Sequence, residues 1–442
     1  MSDWLTMTAS DLGRGIAAGK IDPVELTECY LGAIDAHPDR DRIYARVTAD
    51  RARAEARAAA ERARLGLRRS LFDGVPLSWK DLFDSAGVAT ESGSALLAGR
   101  VPEADALVLR NATAAGAVCL GKTHMSELAF SGLGLNPVTA TPPNPHDPAW
   151  VPGGSSSGAA ASVSFGLAAC GIGSDTGGSV RIPSAWHDLV GLKTTSGRLS
   201  LEGVVPLCLK FDTVGPLARS VEDAAEALAL LEGGRAADLR GVSLKGCRLA
   251  VLQTVALDDL REAPGAGFES ALTRLSAAGA EIVPLDVPEL VDAMALSGVL
   301  YTAEAYGLWR DVIEANPSAM YDQILERFRA GAGFSGPDYV AAWARLETCR
   351  AAWDGAVAGF DAVLMPTAPI LPPDRDRLLS DHDYYVSENL LALRNTRIGN
   401  LMGLSGLSLP TGTPACGLMM LGRPDGEEAL LRVGAAAEQA LT

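Results

Sequence analysis

The chain has 442 residues, of which 48% are hydrophobic, 21% charged and 5% aromatic, the composition of an ordinary globular protein and not of a disordered one. Its 54 acids against 38 bases leave a formal net charge of −16. That balance argues against a partner held by phosphate neutralisation, so no nucleic acid is expected, and against a polybasic membrane anchor.

Residues 8 to 36 place apolar side chains at helical spacing, with Pro23 opening a second helix behind Asp22 as its cap. Residues 49 to 66 read as an Ala/Arg/Glu helix. Its Arg51, Arg53, Arg57, Arg62 and Arg64 are interspersed with Asp50, Glu55 and Glu61, which favours a solvated face over a basic binding surface. From Gly74 onward short apolar runs predict strands at Val75–Trp79, Ala117–Leu120, Leu189–Leu192, Arg248–Leu252, Glu281–Leu285, Ala362–Met365 and Leu404–Pro410. Helix-length segments lie among them at 219–232, 266–279, 338–358 and 426–441. This alternation predicts an α/β fold, one sheet covered by helices on both faces. With no repeat and no Pro/Ser linker, one large domain over 1–442 is expected. The stretch 369–388, with Pro372, Pro373 and several acids, reads as a surface loop. The charge-free run from Pro148 to Ser174 has the length of a membrane span, but Pro152 and its Gly, Ser and Ala content make poor bilayer material, so no membrane association is expected. Seven unpatterned cysteines argue against a disulfide framework, and the opening Met1-Ser2-Asp3-Trp4-Leu5 lacks a basic region before an apolar core. A cytoplasmic location is the expectation.

The chemistry concentrates between Pro152 and Gly197. Gly153-Gly154-Ser155-Ser156-Ser157-Gly158 leads into an Ala/Ser helix, and Gly173-Ser174-Asp175-Thr176-Gly177-Gly178-Ser179-Val180-Arg181 follows. Small residues at this density let backbones approach and let one turn aim several N–H groups at a single point. A phosphate-binding loop is one reading, but neither a Gly-Lys-Ser/Thr ending nor Rossmann spacing is present. Simple close packing is a second. The third is a nucleophilic serine, Ser179, beside an oxyanion hole formed by the N–H groups of Thr176, Gly177, Gly178 and Ser179.

A serine nucleophile needs a base. No Gly-x-Ser-x-Gly elbow surrounds Ser179, and nearby His187 is more simply a packed histidine. Lys80, at the end of the apolar run Gly74-Val75-Pro76-Leu77-Ser78-Trp79, is the alternative, since burial can hold a lysine neutral near pH 7. An ordinary pairing of Lys80 with Asp81 or Asp84 competes with that reading.

Lys80, Gly153–Gly158 and Asp175–Ser184, with 75 positions from Lys80 to Ser155 and 24 from Ser155 to Ser179, together resemble the amidase signature family. Further matching text lies at Gly191–Arg198, Asp212–Pro216, Met365–Thr367 and Gly406–Pro410, so the resemblance covers most of the chain and is strongest over 74–225. It implies a central mixed sheet, with the N-terminal helices of 1–70 packed on that core. It also implies a catalytic set: Ser179 as nucleophile, Lys80 as base, and Ser155, preceded by a cis peptide bond, as the hydroxyl between them. The implied reaction is hydrolysis of a small amide through an acyl-enzyme, with no metal and no cofactor. Ser156, Asp175 and Arg181 look like supports, an ordinary ion pair being the alternative for the last two.

Relatives of this kind include stand-alone amidases and the A subunit of the tRNA-dependent glutamine amidotransferase. The latter carry an Asp some residues before the stretch that here reads Asn400-Leu401-Met402-Gly403-Leu404. The corresponding position, near Leu393, has no acid, and His124 and Ser126 also depart from the amidotransferase text. A stand-alone amidase is therefore favoured. The alternatives are the amidotransferase component and a catalytically silent scaffold. Arg394 or Arg397 would suit a carboxylate-bearing or carbonyl-rich amide better than an ammonium group. Pocket candidates come from segments 124–136, 300–330 and 390–400: Phe130, Arg327 and Arg394 first, then Leu133, Tyr301, Tyr306 and Trp309, with core packing the default for each aromatic. A homodimer is possible on the same resemblance.

Overall fold

In the computed structural model, which describes residues 2–442, eleven strands form one mixed sheet. In chain order they are β1 (Tyr44–Val47), β2 (Pro76–Lys80), β3 (Val118–Thr123), β4 (Cys170–Asp175), β5 (Val190–Lys193), β6 (Thr213–Ala218), β7 (Arg248–Leu252), β8 (Glu281–Leu285), β9 (Ala362–Pro366), β10 (Ser405–Pro410) and β11 (Gly417–Gly422). Across the sheet they run β1-β3-β2-β4-β6-β5-β10-β11-β9-β7-β8. Strand β2 lies parallel to both β3 and β4, whereas β4 meets β6 antiparallel. Every residue of β2, β3, β4, β5 and β6 is buried. Because successive side chains point to opposite faces, both faces of this central region are covered.

The seven predicted strands all form, with ends moved by a few residues. Four more, β1, β4, β6 and β11, escape the apolar-run criterion. The most consequential is β4, whose Cys-Gly-Ile-Gly-Ser-Asp sequence lacks the usual β-formers. Its glycines serve close approach: a Cβ on Gly171 would stand 2.8 Å from the Ala159 carbonyl oxygen of the helix Ser157–Ser164 packed against it. The charge-free run is thus a turn, that short helix and a strand, and among the described residues no helix is long and apolar enough to cross a membrane.

At the N-terminus Asp22 Oδ1 accepts from Val24 N (2.8 Å) and Glu25 N (3.1 Å) and caps the helix Pro23–Ala36 as predicted. The arginines of the helix Ala49–Leu65 face acids of this chain. Arg51 is bidentate on Asp105, Arg53 holds Glu28 and Arg62 holds Asp73. The expected loop at 369–388 is a correction. It contains the helix Arg375–Ser380, and the helix His382–Leu401 starts within it. The acids that suggested a loop are the caps: Asp374 accepts from Arg377 N and Asp381 from Tyr384 N.

Candidate active site

Two parallel strands end side by side, and their carboxyl ends carry the site. β2 finishes on Lys80 and β4 on Ser174 and Asp175. Lys80 has no exposed surface, and its Nζ lies 2.7 Å from Ser155 Oγ and 2.8 Å from Ser174 Oγ. Burial lowers its pKa from the ordinary 10.5 to about 7, against the opposing pull of the Asp175 and Asp212 charges. Lys80 forms no ion pair among the described residues, although Asp81 follows it directly. Lys122 and Arg46 engage Asp81 instead.

Ser155 sits in the turn before the helix Ser157–Ser164, and the Gly154–Ser155 peptide bond is cis. The next residue stitches the site together. Ser156 Oγ donates to the Ser174 carbonyl (3.1 Å) and accepts from Ser174 N (3.3 Å), while Ser156 N donates to the Ser179 carbonyl (3.2 Å). The Ser155 turn is thereby tied both to β4 and to the turn bearing Ser179.

Beyond β4 the chain makes the tight turn Thr176–Val180 and enters the helix Arg181–Trp186. Asp175 organises this turn from beneath. Its carboxylate accepts from Gly178 N (2.9 Å), Val180 N (3.1 Å), Arg181 Nε and Nη2 (3.0 and 2.9 Å) and Asn400 Nδ2 (2.9 Å). Burial alone would raise its pKa, but the Arg181 charge and these bonds outweigh it and hold the carboxyl below its ordinary range. Thr176 is fixed from the other side, its Oγ1 donating to Asp212 (2.5 Å). Asp212 also accepts from Leu207 N and Cys208 N, and burial pushes its pKa up to about 6.

Of the four N–H groups expected to face an oxyanion, Gly178 is a correction: its N–H belongs to Asp175, and the residue lies off the cavity wall. The N–H groups of Thr176, Gly177 and Ser179 donate to nothing among the described residues, and all three residues line the cavity. Gly178 is needed for shape. Its φ of 143° favours glycine, and a Cβ there would meet Thr396 Oγ1 at 2.1 Å. Thr396 belongs to the helix His382–Leu401 and donates to the Gly177 carbonyl (2.7 Å).

Ser179 is 3% exposed, on the wall of a cavity of about 310 Å³. Among the described residues its Oγ makes no hydrogen bond, to Ser155 Oγ included, and so is free to rotate. A lysine whose pKa is lowered to about 7, within hydrogen-bond reach of a hydroxyl, is a competent base. Free N–H groups in a largely buried turn beside a second hydroxyl are competent to hold an oxyanion. His187 is confirmed as packed: its Nδ1 is bonded to the Pro183 carbonyl at 2.9 Å, burial lowers its pKa to about 3, and it is not on the cavity wall. No cluster of three or more His, Cys, Asp or Glu arranged for a metal occurs among the described residues.

The three segments expected to form the pocket all reach it. Phe130, Tyr301 and Arg327 line the cavity. Leu133 does not and packs in the core beside Trp186. Tyr306 bonds Glu314 at the surface, and Trp309 Nε1 bonds the Pro206 carbonyl. Arg394 is also a correction: it contacts the Ala256 carbonyl and Asn395 and faces Asp259 at 3.9 Å, away from the cavity. The reason is helical phase. Val386, Asn389, Leu390, Leu393 and Arg397 recur at three- and four-residue intervals and share the lining face of His382–Leu401, and Arg394, a hundred-degree step beyond Leu393, falls at the edge of that face. Ser174, Asp212, Thr396 and Asn400 were missed; that same periodicity was the signal available for Thr396 and Asn400.

The family model described as Amidase matches residues 25–431. The chain is 36% identical over 375 residues to a 2-amino-5-chloromuconic acid deaminase of Comamonas testosteroni, covering 81% of this chain and 80% of the relative. It is 34% identical to the A subunit of a glutamyl-tRNA(Gln) amidotransferase from Anaeromyxobacter sp. (strain K), covering 98% and 95% of the two chains. A crystal structure of an amidase superposes with a TM-score of 0.88 at 30% identity, over 99% of this chain and 100% of that one.

Proposed function

The chain belongs to the amidase family of hydrolases acting on C–N bonds, and from that premise we propose that it hydrolyses a small carboxylic amide to acid and ammonia through an acyl-enzyme on Ser179. The observation carrying this reading is the buried Lys80 amine, held near pKa 7 and 2.7 Å from Ser155 Oγ. Ser179 Oγ attacks the amide carbon as its proton passes to Ser155 and the Ser155 proton passes to Lys80 Nζ. The carbonyl oxygen becomes an oxyanion against the N–H groups of Thr176, Gly177 and Ser179. Its collapse breaks the C–N bond while the Lys80 ammonium returns a proton, again through Ser155, to the departing nitrogen. An amine anion is a very poor leaving group, so this return is essential to the step. Water, deprotonated along the same path, attacks the ester and releases the acid and free Ser179. Asp175, Arg181 and Ser156 act as positioning residues for the two turns.

A stand-alone enzyme is favoured over an amidotransferase component because Leu393 lines the cavity where an acid would otherwise meet a substrate ammonium group. The relative named a 2-amino-5-chloromuconic acid deaminase is, by that name, an enzyme that releases nitrogen from its own substrate. The test is ammonia release from a panel of aliphatic, aryl, ureido and amino-acid primary amides. At least one is expected to turn over without a partner protein, and glutamine-dependent release only with a partner and charged tRNA would reverse the assignment. Asp212 supplies a second check. Its charge opposes the lowering of the Lys80 pKa, so Asp212→Asn removes a stabiliser of the ammonium, and the acid limb of kcat/KM is expected to move to lower pH.

A further inference from the structure

The cavity wall is apolar over most of its extent, with Ala129, Phe130, Leu207 and Leu393 among its residues, yet two arginines stand in it. In a chain with sixteen more acids than bases, neither has found one. Arg327 forms no ion pair and no hydrogen bond among the described residues, and its guanidinium lies over the Phe130 ring at 4.6 Å. Arg397 has a single long contact, from Nη1 to Ser297 Oγ at 3.5 Å, and no ion pair among the described residues. The one carboxylate among the lining residues, Glu326, is engaged by His382 at 3.0 Å. Beside them the buried Tyr301 hydroxyl has no hydrogen-bond partner among the described residues, its ring stacked on Phe211. Burial, and then the charge of Arg397, lower the Arg327 pKa to about 10, which leaves Arg327 charged at neutral pH, and burial lowers Arg397 as well. Enclosed charges are normally paired, and unpaired ones are costly. Two guanidinium groups without a carboxylate, both from residues lining one largely apolar cavity and with an unpaired buried hydroxyl on a third lining residue, favour an anion as the ligand.

We infer that Arg327, Arg397 and the Tyr301 hydroxyl form an anion subsite that selects substrates bearing a carboxylate on the acyl side of the C–N bond cleaved at Ser179. The placement on the acyl side rests on the proposed amide hydrolysis: when ammonia leaves, the whole remaining molecule is acyl portion. Arg397 sits on the same helical face as Leu393, one turn further along, so an anchored carboxylate and the Ser179 hydroxyl share one cavity. A neutral diamide offers these groups a carbonyl acceptor but no negative charge, so the two cations stay uncompensated, which makes them a filter as well as a grip.

The experiment measures binding and turnover separately. Titration calorimetry with succinate and adipate, against succinamide and adipamide, is run on the wild type and on the Ser179→Ala variant. The dicarboxylates are expected to bind both proteins, and roughly a hundredfold more weakly to Arg397→Met and Arg327→Met. Succinamate or adipamate is expected to exceed its methyl ester in kcat/KM by a similar factor. Neither arginine has an acid to lose, so both methionine variants are expected to match or exceed the wild-type melting temperature without ligand; arginines that merely hold the fold would lower it. Dicarboxylates that bind no better than diamides, or equally well to both variants, would overturn the subsite. Dicarboxylate binding that depends on the arginines in a wild type cleaving no amide would retain the subsite and remove the amide reading instead.

Discussion

Ser179→Ala is expected to lower kcat for amide hydrolysis by a factor on the order of 10⁴ to 10⁶ and to leave the protein folded. The first part follows from chemistry: alanine has no atom to carry the acyl group, and what remains is binding and the oxyanion N–H groups. The second follows from structure. The Ser179 hydroxyl makes no hydrogen bond among the described residues and fronts a cavity, so its removal orphans no buried partner. A change in stability within about 0.5 kcal/mol is the expectation. Mass spectrometry after treatment with a sulfonyl fluoride supplies the positive control, with label on Ser179 in the wild type and none in the variant. A variant turning over at the wild-type rate would remove Ser179 from the mechanism.

Lys80→Met is the second large effect, with an expected loss on the order of 10² to 10⁴ in kcat. Its stability signature is as informative as its activity. The folded-state pKa of Lys80 is lowered to about 7 from an ordinary 10.5, so between those values the unfolded chain binds the additional proton. Raising pH through that window therefore favours the folded state. Below pH 7 the cost of burying the group is complete, on the order of 5 kcal/mol, and near pH 10.5 it has vanished. Methionine carries no such cost but forfeits the contacts with Ser155 and Ser174. The variant is thus expected to gain most over the wild type at pH 6 and least near pH 10, in melting curves taken across that range. A difference independent of pH would mean that Lys80 keeps its proton in the folded enzyme.

Much of this arrangement could be read along the chain, because the groups involved are adjacent to strong local signals. Lys80 closes an apolar run that had to be a buried strand, and Ser155 and Ser179 sit in turns whose small residues announce close backbone approach. β4 was harder to see for the same reason: the glycines that admit a helix against it erase the apolar pattern of a strand. What sequence could not supply was juxtaposition. Ser174 reaches Lys80 only because β2 and β4 lie parallel, and Asp212 reaches Thr176 only because β6 pairs antiparallel with β4. The choice of Arg394 over Arg397 shows the same limit at finer grain. Both are basic and three positions apart, but the phase of the helix His382–Leu401, fixed by Thr396 and Asn400 docking on the Ser179 turn, turns only the second into the cavity.

All of the proposed chemistry depends on a neutral Lys80 amine that, acting by way of Ser155, prepares the Ser179 hydroxyl for attack. The most direct test is the rate at which a sulfonyl fluoride labels Ser179 as a function of pH, in the wild type, Lys80→Met and Ser155→Ala. The expected result is a wild-type rate that rises through an apparent pKa near 7 and a rising limb lost in both variants. A limb of the same position and height in Lys80→Met would contradict it.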